Sequence, residues 1–379
     1  MLEGILYISY GVLLAIAALM IRQLRYATKH FTPPIYNTEL ANEADMPSVT
    51  VCIPARNERH ALTECLERVI ASDYQKLEII VLDDVSGDDT SSLIKSFAHE
   101  GVRFVQGKPL PAGWLGKNHA LQGLLNEASG SYLLFIDVDT RIAPTTITNI
   151  VRYSLSNRAS MVSVLPRRGD GWRASVVFSP LRYFWEIIFH RRTWPATASS
   201  AWLIGRKVLL DRFKGFENVK TQVRPEAYLS SQLALTNEYR FLMSTSRFGV
   251  AYEKKWRSQL MTSTRLLFPL LKNQVSMAIM AVLDLMVLLV PALILIASFS
   301  VDVGLVHIIG MSIALIYAFI YGWYAHRVWN KGAILGAILW PVLVLQEIIL
   351  VVASVIQYQR HAVKWKGRKV LVSRQFKAK

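Results

Sequence analysis

Two apolar runs in this chain end on acids. LEIIVLDD closes on Asp83 and Asp84, and SYLLFIDVD closes on Asp137 and Asp139. A carboxylate at the end of a buried strand can accept a hydrogen bond from a bound base. The Asp-x-Asp spacing of Asp137 and Asp139 suits Mg²⁺ or Mn²⁺, hard ions that bind through one or two carboxylates, phosphate oxygens and retained waters. Such an ion would offset the charge of a departing diphosphate. A single acid at a strand end is usually a solvated turn residue or a helix cap, but two such ends in one sheet make a site the better reading.

The elements that must hold these acids alternate. VTVCIPA (49–55) reads as a buried strand, HALTECLERVIAS as an amphipathic helix, KLEIIVLDD as a second strand and TSSLIKSFAHE as a second helix. RFVQG, NHALQGLLNEAS and SYLLFIDVD continue the alternation to a fourth strand. Strands and helices at these spacings predict a doubly wound, mostly parallel sheet, an α/β fold that binds ligands beyond the carboxyl ends of its strands. All four acids fall at that end.

Flanking this domain the chain is too apolar for an ordinary soluble protein: 52% of its 379 residues are hydrophobic and 18% are charged. Residues 4–21 form an uncharged run of 18, long enough to cross a bilayer, followed by Arg22, Arg25 and Lys29. The segmentation expected is a transmembrane helix over 1–24, a linker over 25–46, a sheet domain over 47–272, C-terminal membrane helices over 273–359 and a basic tail over 360–379. In the membrane region, 285–301 and 303–325 read as a helical hairpin around Asp302. Residues 332–359 are interrupted by Pro341 and Glu347, and are expected to be broken, re-entrant or interfacial, because one full crossing would strand the basic tail outside. Glu347 would then be free to pair with a tail residue such as Arg368. A net charge of +16 raises nucleic acid as a partner, but eight of the positive charges lie in the tail after the last apolar segment, with no acid among them. That placement favours anionic lipid headgroups and not nucleic acid. Cys52 and Cys65 have no metal spacing and read as reduced core thiols of a cytosolic domain.

Taken together, VTVCIPARNE, LEIIVLDDVSGDDT, GWLGKNHAL and SYLLFIDVDT, in this order over about residues 47–230, resemble glycosyltransferase family 2, inverting enzymes with a nucleotide-sugar-binding GT-A sheet domain. GWLGK and the tail VKWKGRKV look like its membrane-bound branch, which glycosylates carotenoid acids, hopanoids and ceramides. The resemblance implies a cell-membrane, multi-pass protein with a cytoplasmic catalytic domain. It would transfer a single sugar from a nucleotide diphosphate donor, UDP-linked, to a membrane lipid. On that resemblance Pro54, Ala55 and Asn57 line the nucleotide pocket, Asp84 binds the base, Asp137 approaches the ribose, Asp139 holds the metal and Lys117 faces the donor. A cation at Lys117, before a predicted helix start, suits a phosphate independently.

Three departures from the family pattern matter. The family's DDGSTD reads Asp83-Asp84-Val85-Ser86-Gly87-Asp88 here, so the glycine after the acids has moved. The family's Glu-Asp pair aligns with Pro225-Glu226, leaving Glu226 as the candidate base that deprotonates the acceptor, with Glu217 as the alternative and a plain helix-start acid as the bland reading. The Gln-x-x-Arg-Trp element of processive synthases is absent, and Trp256-Arg257 stands in reverse order, which argues against polymer extension. Arg257, eight residues before Arg265, suits either the diphosphate or lipid headgroups. The stretch 179–195, rich in Phe, Trp and Arg, reads as an amphipathic surface helix or a core helix. The rivals within enzymes are a polysaccharide synthase and a polyprenyl-phosphate sugar transferase; outside catalysis, the rival is a donor-binding scaffold without a base.

The excess of Lys and Arg puts residues 22–274 and the tail on one side of the membrane. A cysteine probe at Ser373 is therefore expected to resist labelling from outside intact cells, and ready labelling would mean that 332–359 crosses once.

Overall fold

The computed structural model describes residues 2–34, 46–169, 178–297, 304–329 and 333–370. It separates into two compact units. One comprises residues 31–167, 190–253 and 361–379; the other comprises 1–30, 168–189 and 254–360.

The first unit is built on a seven-stranded sheet. Its strands are β1 (Val49–Ala55), β2 (Leu77–Asp83), β3 (Val102–Gln106), β4 (Tyr132–Ile136), β6 (Met161–Leu165), β7 (Ala201–Gly205) and β8 (Tyr239–Met243), in the order β3-β2-β1-β4-β7-β6-β8. The four strands read from the sequence are parallel to one another, β7 runs antiparallel between β4 and β6, and β8 is parallel to β6. The mostly parallel α/β sheet expected from the alternating pattern is thus present. Val51, Cys52, Ile53, Ile80, Val81, Leu133 and Leu134 are fully or almost fully buried, as strands covered on both faces require. Helices α2 (Leu62–Ile70), α3 (Thr90–Ser96), α4 (Gly116–Glu127), α5 (Thr146–Ser156), α7 (Arg206–Asp211) and α8 (Pro225–Leu235) belong to this unit. On α2, Leu62, Cys65, Leu66 and Val69 form its buried stripe. Across the sheet, Trp202 stacks on Phe135 with ring centroids 4.3 Å apart, and Phe216 meets Phe135 edge-on. Both cysteines are free and buried, and burial pushes the Cys65 thiol up to about 12, so neither is poised to react. A short pair, β5 (Thr140–Ile142) with β9 (Val250–Tyr252), follows the acid-bearing end of β4.

The second unit is helical: α1 (Leu2–His30), α6 (Arg182–Ile188), α9 (Trp256–Leu270), α10 (Val275–Ala297), α11 (Leu305–Val328) and α12 (Ala333–Gln359). Four of these, α1, α10, α11 and α12, are long and apolar enough to cross a membrane. Tyr10, Leu13, Ala17, Met20, Leu24 and Ala27 make the buried stripe of α1 at alternating three- and four-residue steps. Gly310 on α11 lets Tyr10 and Ile294 approach, since a Cβ there would stand 2.3 Å from Ile294 Cγ2. The stretch expected as a surface or core helix contributes α6, whose Tyr183, Phe184, Glu186 and Ile187 are buried, Phe184 lying edge-on to Tyr324.

Two expectations for the C-terminal region are corrected. Residues 333–359 form one continuous helix with Pro341 inside it, not a broken segment. A proline within an apolar helix is tolerated where neighbouring groups re-satisfy the freed backbone, and this helix packs against α9, α10 and α11. Glu347 does not pair with Arg368: it is fully buried and its Oε2 accepts from the Leu181 N–H at 3.0 Å, at the start of α6. A buried carboxylate needs a donor, and an orphan helix-start N–H supplies one locally. Asp302 and most of the linker, residues 35–45, lie outside the described residues.

Candidate active site

The parallel register brings the acids together. Ala55 at the end of β1 pairs with Asp83 at the end of β2, while β4 flanks β1 on its other side and ends just before Asp137. β1 therefore stands between the two acidic strand ends.

Asp83 and Asp84 divide the work. Asp83 turns back into the fold, where its carboxylate accepts from the hydroxyls of Ser86 and Ser91 and, at 3.3 Å, from the Ser86 N–H. It shapes the loop. Asp84 is 2% exposed, and its Oδ2 accepts from Arg368 at 2.6 Å while its Oδ1, equally buried, has no hydrogen-bond partner among the described residues. Burial raises the pKa of this carboxyl, and Arg368, Arg56 and His119 oppose that rise.

The loop between β1 and α2 is laced to the acid loop. Asn57 adopts a left-handed backbone (φ 51), which asparagine tolerates; its N–H donates to Ser86 Oγ and its Oδ1 accepts from the Gly87 N–H. Arg56 donates to the carbonyls of Asp84 and Val85. Pro54 and Ala55 form the strand end beneath this loop, Ala55 accepting from the Asp84 N–H at 2.8 Å. Val85 occupies the position of the family's glycine and takes the left-handed conformation itself, at φ 55. The turn thus keeps its shape despite the moved glycine, at the cost of a strained β-branched residue.

On the other side of β1, Asp137 Oδ1 accepts from Lys117 Nζ at 2.7 Å, both side chains being partly exposed. Lys117 is the second residue of α4, and the buried Asn118 beside it donates to the carbonyls of Val219, Lys220 and Gln222. That single amide ties the start of α4 to the loop that delivers Glu226.

Glu226 stands in the first turn of α8, where Pro225 opens the helix with the fixed φ that a first turn wants. It is 2% exposed, and its Oε1 lies 3.7 Å from Arg224 Nε without a hydrogen bond. Burial raises its pKa; the charges of Arg224 and Lys117 lower it and that of Asp137 raises it again, so Glu226 shares a field with the Lys117–Asp137 pair. Glu217 is exposed and engaged with Lys220 at 2.5 Å. Between the two acids, only Glu226 has the burial that makes a carboxylate a stronger proton acceptor.

Asp139 follows β4 by three residues, and its charge is felt by both Glu58 and Cys65. Among the described residues, no three His, Cys, Asp or Glu side chains gather as a metal site. A strand-end Asp-x-Asp therefore fits an ion that takes most of its ligands from substrate phosphate and water, not one held in a protein cage. Arg257, on α9, is exposed in the helical unit and is described there alone. Arg56, Asn118 and Arg368 act through contacts distant in sequence that leave no local pattern, whereas Arg224 lies two residues from the Glu226 it faces.

Residues 50–213 match the family described as "Glycosyl transferase family 2". The probable glycosyltransferase YdaM of Bacillus subtilis is 34% identical over 102 residues, covering 26% of this chain and 24% of that protein. The 4,4'-diaponeurosporenoate glycosyltransferase of Staphylococcus aureus is 29% identical over 123 residues, covering 31% of this chain and 32% of that protein. The matched stretches thus span about a quarter to a third of these relatives. A mannosyltransferase from Pyrobaculum calidifontis, solved with GDP-mannose and Mn²⁺, superposes with a TM-score of 0.54 at 17% identity, over 93% of this chain and 98% of that one. Residues 50–213 are thus similar to family 2 glycosyltransferases, and the superposition shows a GT-A fold.

The strain at Val85 has a measurable consequence. Its side chain is 45% exposed, so removing it forfeits little packing. A left-handed L-residue costs roughly 1–2 kcal/mol, which exceeds the ~0.5–1 kcal/mol entropic penalty of glycine. Val85→Gly is expected to raise the thermal unfolding midpoint of the protein in detergent, and a lowered midpoint would show that the valine side chain contributes packing there.

Proposed function

We propose that the protein transfers a single sugar, with inversion, from a nucleotide diphosphate sugar to a membrane lipid. UDP is the favoured nucleotide. The observation that carries this reading is the buried carboxylate of Glu226 in the field of the Lys117–Asp137 pair, in a unit whose buried Asp84 keeps one oxygen without a hydrogen-bond partner among the described residues. In this reading the base of the nucleotide donates to Asp84, Pro54, Ala55 and Asn57 frame it, Asp137 approaches the ribose, and Lys117 meets the diphosphate. Asp139 would hold Mg²⁺ or Mn²⁺, which supplies positive charge against the leaving diphosphate. The acceptor oxygen attacks the anomeric carbon opposite the leaving group, Glu226 takes the acceptor's proton, and the bond to the diphosphate breaks with its electron pair leaving on the phosphate oxygen.

The lipid acceptor is supported by the four apolar helices and by the kind of acceptor that the Staphylococcus relative is named for. Anionic headgroups suit the basic tail. Topology follows the same logic. The tail hairpin and the sheet belong to one compact unit, which supports a reading in which two of the three helices α10, α11 and α12 are crossings. The Lys and Arg excess assigns the sheet unit to the cytoplasm.

EDTA is expected to abolish transfer, and so is Asp139→Asn with the fold intact; full turnover in EDTA would remove the metal from the account. Glu226→Gln keeps the shape and removes the proton acceptor, so lipid glycosylation should fall by about 10² to 10⁴ while donor binding stays near normal. Because burial raises the carboxyl pKa, the wild-type rate should fall on acidification at a pH above the ordinary glutamate value of about 4.3, and this limb should vanish in Glu226→Gln. A carboxylate acceptor, already ionised, would make the substitution far milder. Near-complete activity toward a hydroxyl acceptor would move the role to Glu217.

A further inference from the structure

Residues 361–370, the described part of the basic segment after the last long helix, belong to the sheet unit. Strands β10 (Lys364–Trp365) and β11 (Arg368–Lys369) form a hairpin whose turn residue Gly367 is left-handed at φ 81. The hairpin is fastened at the carboxyl end of the sheet by three sets of contacts. Arg368 Nη1 donates to Asp84 Oδ2 at 2.6 Å, and these residues lie 284 positions apart in sequence. Lys366 Nζ is 2.8 Å from Glu58 Oε1 and 3.3 Å from the Asn57 carbonyl. The Lys366 carbonyl in turn accepts from Arg56 Nε at 3.2 Å. The fourth wall is Gly116 at the start of α4. A Cβ on Gly116 would stand 2.8 Å from Arg368 Nη1, 3.3 Å from Asp84 Oδ2 and 3.5 Å from Trp365, so glycine lets the guanidinium take this position without a shift.

Asp84 is the centre of the arrangement. A carboxylate this buried is costly unless its charge is compensated and its lone pairs are used. Arg368 uses one oxygen, and the other, Oδ1, has no hydrogen-bond partner among the described residues and is left as an acceptor for a bound base. We propose that Arg368 is a positioning residue of the donor site: the C-terminal hairpin fixes the Asp84 carboxylate and keeps it charged, so that nucleotide affinity is set by a segment that follows the membrane helices. The inference rests on the donor reading above. It assigns to the tail a role in donor binding in addition to any affinity for anionic lipid.

The test is titration of the full-length protein in detergent with UDP and with GDP, in the presence of Mg²⁺, alongside steady-state kinetics in donor. Removing one charge-assisted hydrogen bond to a buried acid should weaken nucleotide binding on the order of tenfold to a hundredfold. Arg368→Ala is therefore expected to raise the donor KM by that factor with kcat at saturating donor nearly unchanged, and Arg368→Lys to recover part of the loss. Because Arg368 acts through Asp84, Arg368→Ala should weaken binding little further in an Asp84→Asn background. Undiminished affinity in Arg368→Ala, a loss confined to kcat, or an equal loss in the Asp84→Asn background would each overturn the proposal. If the wild-type protein binds neither nucleotide, the donor reading itself fails, an outcome distinct from wild-type binding that Arg368→Ala leaves intact.

Discussion

Carboxylates buried at the end of a parallel sheet set the terms for this molecule. Taking a charged carboxylate out of water costs several kcal/mol unless a partner and hydrogen bonds replace the lost solvation. Each acid of the site meets that cost differently. Asp83 accepts from two serine hydroxyls and becomes part of the loop. Asp84 leans on Arg368 and Arg56, Asp137 on Lys117, and Glu226 on Arg224. Asp83 accepts at both oxygens, whereas Asp84 and Glu226, like Glu347 in the helical unit, each keep one buried oxygen without a hydrogen bond among the described residues. In the proposed function the oxygens of Asp84 and Glu226 are where a ligand proton is bound or removed.

The rest of the sheet unit is arranged around that compensation. Lys117 and Asn118 stand side by side at the start of α4, so one helix terminus both neutralises Asp137 and ties down the loop before Glu226. Arg56 bridges the β1 and β2 loops and the C-terminal hairpin. Within the helical unit the same rule applies in a more apolar setting, where Glu347 is fully buried and caps the backbone N–H at Leu181. Its partner lies 166 positions away, a contact that the sequence around Glu347 does not reveal.

What was legible in the sequence follows from the range of the physics. The four parallel strands and their acidic ends are legible because continuous apolar runs of strand length and the acids that close them are local patterns. So are the apolar helices, whose length and composition alone mark them. The antiparallel β7 between β4 and β6 was not anticipated, since a strand in the middle of a sheet says nothing about its direction. The continuity of α12 through Pro341 was misread because helix tolerance of proline depends on neighbours, not on the proline. Arg368 reads in the sequence as a tail charge and a partner for Glu347, not for Asp84. Its contact with Asp84 closes across 284 positions, and no periodicity encodes a contact of that span. Conversely, the moved glycine after Asp84 was correctly noticed, and the structure adds its consequence: Val85 adopts the left-handed turn in its place.

The central claim is that these acids serve the transfer of one sugar to a membrane lipid. Mass spectrometry of lipids from cells with and without the protein tests it most directly. The account predicts a lipid species one sugar heavier than its precursor that is present only with the protein, the precursor accumulating when the protein is removed. An unchanged lipid profile, or a change confined to a polysaccharide of many sugar units, would contradict it.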